Sequence, residues 1–209
     1  MTPIYRTILP GLLCLLSLGV LAAPDHHGGW KLESEKNGIK IYTRPIVGSK
    51  LKQVRAVTEI DASRQTVMHV LTDYSNYKNW VNNVVESYIV EHPQDSVHYV
   101  YTYEDAPWPV QNRYNVARMT LEEDQQTSRL SFQAMPHYMD NSRKGIEIER
   151  YEGWWEVSSL ASGGCRIEYM LDHNPGGFVP PWLINYMAVD APLKTLENLI
   201  STIKALHKS

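Results

Sequence analysis

The chain has 209 residues, with 20 Lys and Arg against 23 Asp and Glu and a formal net charge of −3 at pH 7. That length suits one domain with a sizeable core, and the absence of a basic cluster argues against nucleic acid and against polybasic attachment to a membrane. The aromatic residues are unevenly divided, Trp 6 and Tyr 13 against Phe 2, a bias toward rings with an apolar body and a polar tip, such as interfaces and ligand cavities use.

The first residues address the compartment. Arg6 is the only charge before Asp25, residues 12–21 are apolar apart from Ser17 and Gly19, and Ala22 and Ala23 follow. A positive start, a short apolar run and a small-residue exit describe a secretory signal peptide; a membrane-spanning helix needs about 20 apolar residues. Cleavage after Ala22 is expected, because cutting one residue later would put Pro24 just beyond the scissile bond. The organisation is then a signal over 1–22, a leader over 23–29 and one domain over 30–209, in the periplasm or outside the cell. Leu13 stands before Cys14 where a lipobox wants a small residue. Cys14 therefore leaves with the signal, and Cys165 remains alone, so no internal disulfide supports the fold.

Two strand-like runs, 38–46 and 51–60, are joined by a turn at Val47-Gly48-Ser49. Asp61 or Ser63 then caps a helix whose apolar positions Val67, Val70, Leu71 and Tyr74 recur at helical spacing. A short aromatic segment, 74–80, continues as further helical turns. From Asn83 the pattern is β: strands are expected over 84–90, 97–103, 114–121, 128–134, 146–157 and 165–171, with turns at 92–95, 123–126 and 161–164. The alternation breaks around 150–153, which suggests a bulge at Gly153. The longer loop 135–145 keeps Met135, Tyr138 and Met139, and a loop that retains apolar residues usually covers something. A terminal helix begins at Pro180-Pro181. Its stripe runs through Trp182, Tyr186, Val189, Leu193, Leu196, Ile200 and Ile203, while Leu183, Ile184, Met187 and Ala191 widen the apolar surface of its first half. Pro192 predicts a bend between the halves. A long antiparallel sheet with one long helix over it is an α+β architecture.

Three stretches carry a resemblance. Pro107-Trp108-Pro109-Val110-Gln111-Asn112-Arg113-Tyr114 is similar to a P-x-P-x-x-(N/P)-R-D segment. Asn174-Pro175-Gly176-Gly177, with Val179-Pro180 and Trp182-Leu183-Ile184-Asn185, is similar to the N-P-G-G entry to a last helix. Met135-Pro136 opens a loop before a long strand, as a lid does. Together they resemble the START lipid-transfer family over roughly residues 30–205, and among its branches the phosphatidylcholine transfer proteins. The resemblance implies a helix-grip fold: a curved antiparallel sheet wrapped around a long C-terminal helix, enclosing an apolar cavity that holds one lipid or sterol. It implies inward positions at Val100, Thr102, Asn115, Met119, Phe132, Tyr151, Trp155 and Tyr169, with Tyr186 and Met187 from the helix. Beside the family's lid loop, the apolar flanks of the helix suggest a gate in which Met135, Tyr138 and Met139 pack on Leu183, Ile184 and Met187, with Phe178 and Trp182 at the edge that docks on a membrane.

The sequence also departs from the family. The choline-cage positions are Thr102, Asn115 and Tyr151, so one aromatic survives; the phosphate-contacting basic residue falls near Lys78; and Val100 and Met119 stand where the sterol branch has an acid–base pair. Neither of these two head-group solutions is reproduced. The 8 histidines form no zinc-type spacing, and neither a G-x-S-x-G motif nor a Gly-rich phosphate loop is present. The expectation is therefore a monomeric, non-catalytic carrier without metal or cofactor, touching membranes transiently. The alternatives are a helix-grip cyclase or hydratase with its groups hidden in the cavity, and an envelope protein binding a polypeptide.

Overall fold

The computed structural model describes residues 29–140 and 145–206. The expected signal peptide, Cys14 and nearly all of the leader lie outside the described residues, as do 141–144 of the apolar loop.

The chain begins with β1 (Lys31–Lys36), β2 (Ile39–Pro45) and β3 (Lys52–Ile60). β2 forms on plain alternation, with Ile39, Ile41 and Thr43 buried and Lys40 exposed. β1 has no such alternation, and it escaped the expectation above. It is held by pairing with β2 and by Glu33, whose carboxylate accepts hydrogen bonds from Lys31, Thr43 and Lys52. Those donors hold the Glu33 carboxyl down at about 2. Helix α1 (Arg64–Thr72) starts at Ser63, whose Oγ accepts from the Thr66 amide at 3.1 Å. A 3₁₀ turn over Tyr74–Asn79 follows. It delivers Tyr74, Tyr77 and Trp80 to the core in edge-to-face contacts of 5.8 and 5.1 Å.

The β region comprises β4 (Val84–Gln94), β5 (Val97–Glu104), β6 (Arg113–Glu123), β7 (Thr127–Ala134), β8 (Ile146–Glu147), β9 (Arg150–Ser159) and β10 (Cys165–Asn174). Three expectations need correction here. The residues 92–94 continue β4 through register shifts instead of turning, which an edge strand tolerates even at a proline. The expected strand 146–157 is two: β8 pairs parallel with the start of β6, Ile148 turns into the interior fully buried, and β9 begins after it. No bulge occurs at Gly153, where β9 keeps register with both β7 and β10. The glycine answers to close approach: a Cβ there would lie 2.0 Å from the Met170 carbonyl oxygen and 2.7 Å from the Phe132 ring.

These strands make one 10-stranded sheet in the order β1-β2-β3-β10-β9-β7-β6-β5-β4, with β8 beside β6. The sheet curves without closing, and every pairing but β6–β8 is antiparallel. The C-terminal helix crosses its inner face in three pieces: α2 (Pro181–Asn185), a π turn (Tyr186–Asp190) and α3 (Ala191–Leu206). Pro192 has no N–H for the Ala188 carbonyl, and the helix widens into the π turn just before it. Leu193, Leu196, Leu199 and Ile203 of α3 pack into one core with Ile39, Ile41, Leu130, Val157, Cys165 and Ile167. Cys165 is a small buried hydrophobe there, and burial pushes its thiol up to about 11. A second, smaller cluster of Tyr101, Tyr114 and Val116 lies on the outer face. Among the described residues no helix is long and apolar enough to cross a membrane.

Candidate functional site

The two motif stretches meet at Arg113, which is 4% exposed. Its guanidinium donates to the carbonyls of Pro175 at 3.4 Å and Gly176 at 3.3 Å, and to that of Gln111. Beside it, Asn112 accepts from the Ala106 amide at 3.0 Å and donates to the Tyr103 hydroxyl at 2.8 Å. Gly176 and Gly177 have φ of +68° and +62°, and a Cβ on Gly177 would come within 2.6 Å of Ile146. The Asn-Arg and Pro-Gly-Gly residues thus build one corner, at which the chain leaves β10 and turns onto the inner face.

Under that corner two spaces open between sheet and helix. The outer one, of about 110 Å³, is lined by Val81, Asn82, Glu104, Arg113, His173, Leu183, Tyr186 and Met187, among others. The deeper one, of about 40 Å³, is lined by Tyr77, Trp80, Val100, Thr102, Asn115, Met119, Phe132, Trp155 and Thr195, among others. Val81, Glu104, Tyr151 and Tyr169 border both. The rings are layered, with Trp155 on Tyr169 at 4.1 Å and Phe132 on Tyr151 at 4.7 Å.

The structure brings together Val100, Thr102, Asn115, Met119, Phe132, Tyr151, Trp155 and Tyr169 in the deeper wall, and Tyr186 and Met187 in the outer one. It leaves Lys78 out. That residue is exposed on the 3₁₀ turn and lines neither space. The loop after β7 also differs from the expected gate. Tyr138 and Met139 pack against the outer-face cluster, with Tyr138 stacked on Tyr99 at 4.8 Å and its hydroxyl bonded to Glu91. Met135 is tied by its amide to the Val116 carbonyl at 2.8 Å, and His137 by its amide to Glu147 at 2.9 Å. Tyr99, Tyr101 and Tyr103 stand on alternate positions of β5, and Tyr99 receives the Tyr138 ring. Trp182 is about half exposed, and Ile184 covers a small niche with Leu51, Val54 and His173.

Several polar groups of the site were missed. Glu104 and His173 continue the inward phases of Val100–Thr102 and of Tyr169–Leu171, but the expected strands stopped one and two residues short of them. Burial pushes the Glu104 carboxyl up to about 7, against the pull of Arg113, and pushes the His173 imidazole down to about 4. Burial also raises the Tyr151 and Tyr169 hydroxyls, each further disfavoured as an anion by Glu104. Three buried polar atoms at the walls have no hydrogen-bond partner among the described residues: Trp80 Nε1, Asn115 Oδ1 and His173 Nε2. Asn115 spends its amide nitrogen on Thr102 Oγ1 at 2.9 Å. At the mouth, the Asn82 amide nitrogen donates to the Tyr186 hydroxyl at 2.8 Å, which latches the π turn to the segment before β4.

An open antiparallel sheet gripping a long C-terminal helix, with the ring-lined interior between them, defines a helix-grip domain. The chain matches the START domain model over residues 14–208 and belongs to that family. The crystal structure of a STAR-related lipid transfer protein from Xanthomonas axonopodis is 32% identical, with a TM-score of 0.78 over 84% of this chain and 99% of that one. An uncharacterized protein of Pseudomonas aeruginosa is 31% identical over 173 residues, 82% of this chain and 85% of that protein. Mouse phosphatidylcholine transfer protein is 25% identical over 186 residues, 86% of each chain.

Proposed function

We propose that the protein is an exported, non-catalytic lipid carrier, a monomer that holds one hydrophobic ligand between the sheet and the terminal helix. One observation carries this reading. The interior is walled by rings and aliphatic groups, yet it holds the unpaired polar atoms of Trp80, Asn115 and His173. Buried polar groups are paired in the great majority of cases, so a guest is the natural partner for these. Family membership and the likeness to lipid transfer proteins agree. Export rests on the signal-like residues 1–22 alone.

The spaces of about 110 and 40 Å³ are well below the roughly 300–1,000 Å³ of a small-molecule site. Loading therefore requires movement. The π turn, the Gly176-Gly177 entry and a latch made only of the Tyr186 hydroxyl on Asn82 and Asn83 point to α2 as the part that moves, carrying Trp182 and Ile184. Met135, Tyr138 and Met139 stay on the outer face. Exposed rings stand at the same end, with Trp108 91% and Phe178 81% exposed beside the rim residues Pro107 and Pro175. Amphipathic aromatics favour the membrane interface, and this edge is where the carrier docks.

The test is native mass spectrometry of the exported protein followed by lipid extraction. A chain starting at Ala23 with a stoichiometric lipid is expected. Protein that is ligand-free and takes up no lipid from mixed vesicles would refute the carrier. The helix-grip enzyme is the second reading, favoured by a Glu104 carboxyl pushed up to about 7 beside the cavity's His173; conversion of the bound compound to a product of different mass would establish it instead.

A further inference from the structure

The junction of the two spaces holds a group that the fold does not use. Glu104 ends β5 directly across from Arg113 and borders both spaces. Among the described residues no hydrogen bond or ion pair within 4.0 Å engages its carboxyl; Arg113 acts on it only at longer range. Around it stand the Tyr151 and Tyr169 hydroxyls, and the His173 ring packs edge-on to Tyr151 at 5.7 Å with its Nε2 buried and unpartnered. Arg113 spends N–H groups of all three of its nitrogens on backbone carbonyls. It is thus a fixed internal cation whose guanidinium is committed to the corner.

We infer that Glu104, with Tyr151, Tyr169 and His173, is the recognition site for the ligand's polar end, and that it takes an uncharged hydroxyl-bearing lipid rather than a phosphate or a free carboxylate. This inference rests on the carrier reading above. The charge balance sets the class. The site already contains one acid and one base, and a further buried ion would stand uncompensated, which is costly in a dry interior. A phosphodiester or carboxylate would face the Glu104 carboxyl, and a quaternary amine finds only Tyr151 among the cage positions Thr102, Asn115 and Tyr151. A hydroxyl instead donates to the carboxylate or to an imidazole nitrogen and accepts from a tyrosine, so it satisfies donors and acceptors together. The outer space, about 110 Å³, is also of a size for a compact head.

The test uses the delipidated full mature chain equilibrated with dioleoylphosphatidylcholine vesicles carrying equal amounts of dioleoylglycerol and oleic acid. Bound species are quantified by native mass spectrometry. Dioleoylglycerol should be enriched about tenfold over both competitors, the worth of one hydrogen bond to a charged group. Glu104→Leu should abolish the enrichment, and Glu104→Gln, which still hydrogen-bonds, should retain most of it. His173→Phe makes the same test should Glu104→Leu not fold. Enrichment of phosphatidylcholine or oleate, or a diacylglycerol preference untouched by Glu104→Leu and His173→Phe, would overturn the inference and leave the carrier standing. Absence of every lipid would overturn the carrier and this inference with it.

Discussion

The two faces of the sheet use the same kinds of ring and treat their polar ends in opposite ways. On the outer face Tyr88 stacks on Tyr101 and Tyr99 on Tyr138, each at 4.8 Å, and the polar ends are answered: Tyr138 bonds Glu91 and Tyr103 accepts from Asn112. Ion pairs run across that face, Arg55 to Glu168 and Arg129 to Glu156 at 2.7 Å each. Asp172 Oδ1 and Arg150 Nε lack a hydrogen bond there, but the two side chains form an ion pair at 3.1 Å. On the inner face the rings stack as tightly, yet Trp80, His98, Asn115 and His173 each keep a buried polar atom without a hydrogen-bond partner among the described residues. The outer face is complete as a surface. On the proposed reading a guest completes the inner face, and that difference would separate a carrier from an ordinary sheet-and-helix domain.

The largest effect should come from the outer cluster and should not reach the ligand. Tyr101 is fully buried between Tyr88 and Tyr114. Tyr101→Ala should destabilise by roughly 3–5 kcal/mol, as large-to-small changes of buried rings do, while leaving the composition of bound lipid unchanged. Urea unfolding and lipid extraction on the same sample check both halves. An altered lipid profile would break the separation between the faces.

A pH series sharpens the inner side. Glu104 has a folded value of about 7 against an ordinary 4.5, so the folded chain holds the extra proton between those values. Its stabilisation is present at the acid end and lost as pH rises through about 7. His173 has a folded value of about 4 against 6.5, so its stabilisation is present at the neutral end and lost as pH falls through about 4. Between about 4.5 and 6.5 the two slopes oppose each other in the wild type. Glu104→Gln should therefore expose a stability that rises with pH over about 4–6.5, and His173→Phe one that falls over about 4.5–7; each change is up to about 3 kcal/mol. Arg113 lies near both groups, and Asp172 and Arg150 lie near His173, so the quantity to read is the difference from wild type in urea midpoint at each pH. Variants that track the wild type at every pH would show that neither group is isolated from water.

A smaller effect is expected in the deep wall. Asn115→Leu and Thr102→Leu remove the 2.9 Å hydrogen bond between these residues but also remove an unpaired oxygen and fill a space of about 40 Å³. The two contributions offset, so stability should stay within about 1–2 kcal/mol, while the retained lipid changes. A large loss with the same lipid would make these residues ordinary core.

Much of this was legible in the sequence, and the gaps have physical causes. The resemblance set Val100, Thr102, Asn115, Tyr151 and Tyr169 facing inward, and away from the broken alternation at 150–153 strand phase agrees, because a period of 2 assigns faces without knowledge of the partners; all five line the deeper space. The terminal helix was legible from its stripe and its Pro192. Glu104 and His173 were not, because a charged or titratable residue at a strand end ordinarily marks the exit to solvent, and only the Arg113 corner reveals that these strands run on beneath a cover. The loop at 135–145 carried the apolar residues of a cover but not its direction. Tyr138 turns outward because Tyr99 and Glu91 are there to receive it, a contact between a loop and strands distant from it in sequence.

The smallest effect tests whether the outer face is indifferent to the ligand even where it is most charged. Arg129 reaches Glu156 with Nε at 3.0 Å and Nη2 at 2.7 Å, and its guanidinium lies 4.4 Å over the Trp154 ring. Both side chains of the pair are partly exposed, 39% and 28%. An ion pair this open loses most of its Coulomb energy to water and salt, so a double-mutant cycle of Arg129→Met and Glu156→Gln should give a coupling of about 0.2–1 kcal/mol. That coupling should shrink between 0.05 and 0.5 M salt, as the screening length falls below the reach of exposed charges. Met keeps the stem that packs on Trp154, so loss of the aliphatic contact does not confound the cycle. Trp154 and Trp155 are neighbours in β9 on opposite faces, and Trp155 lines the deep wall. If β9 transmitted outer-face changes inward, the cycle would alter the lipid retained or slow its exchange with vesicles. An unchanged lipid and exchange rate, beside a small salt-dependent coupling, would place the boundary between the two faces at the β9 backbone itself.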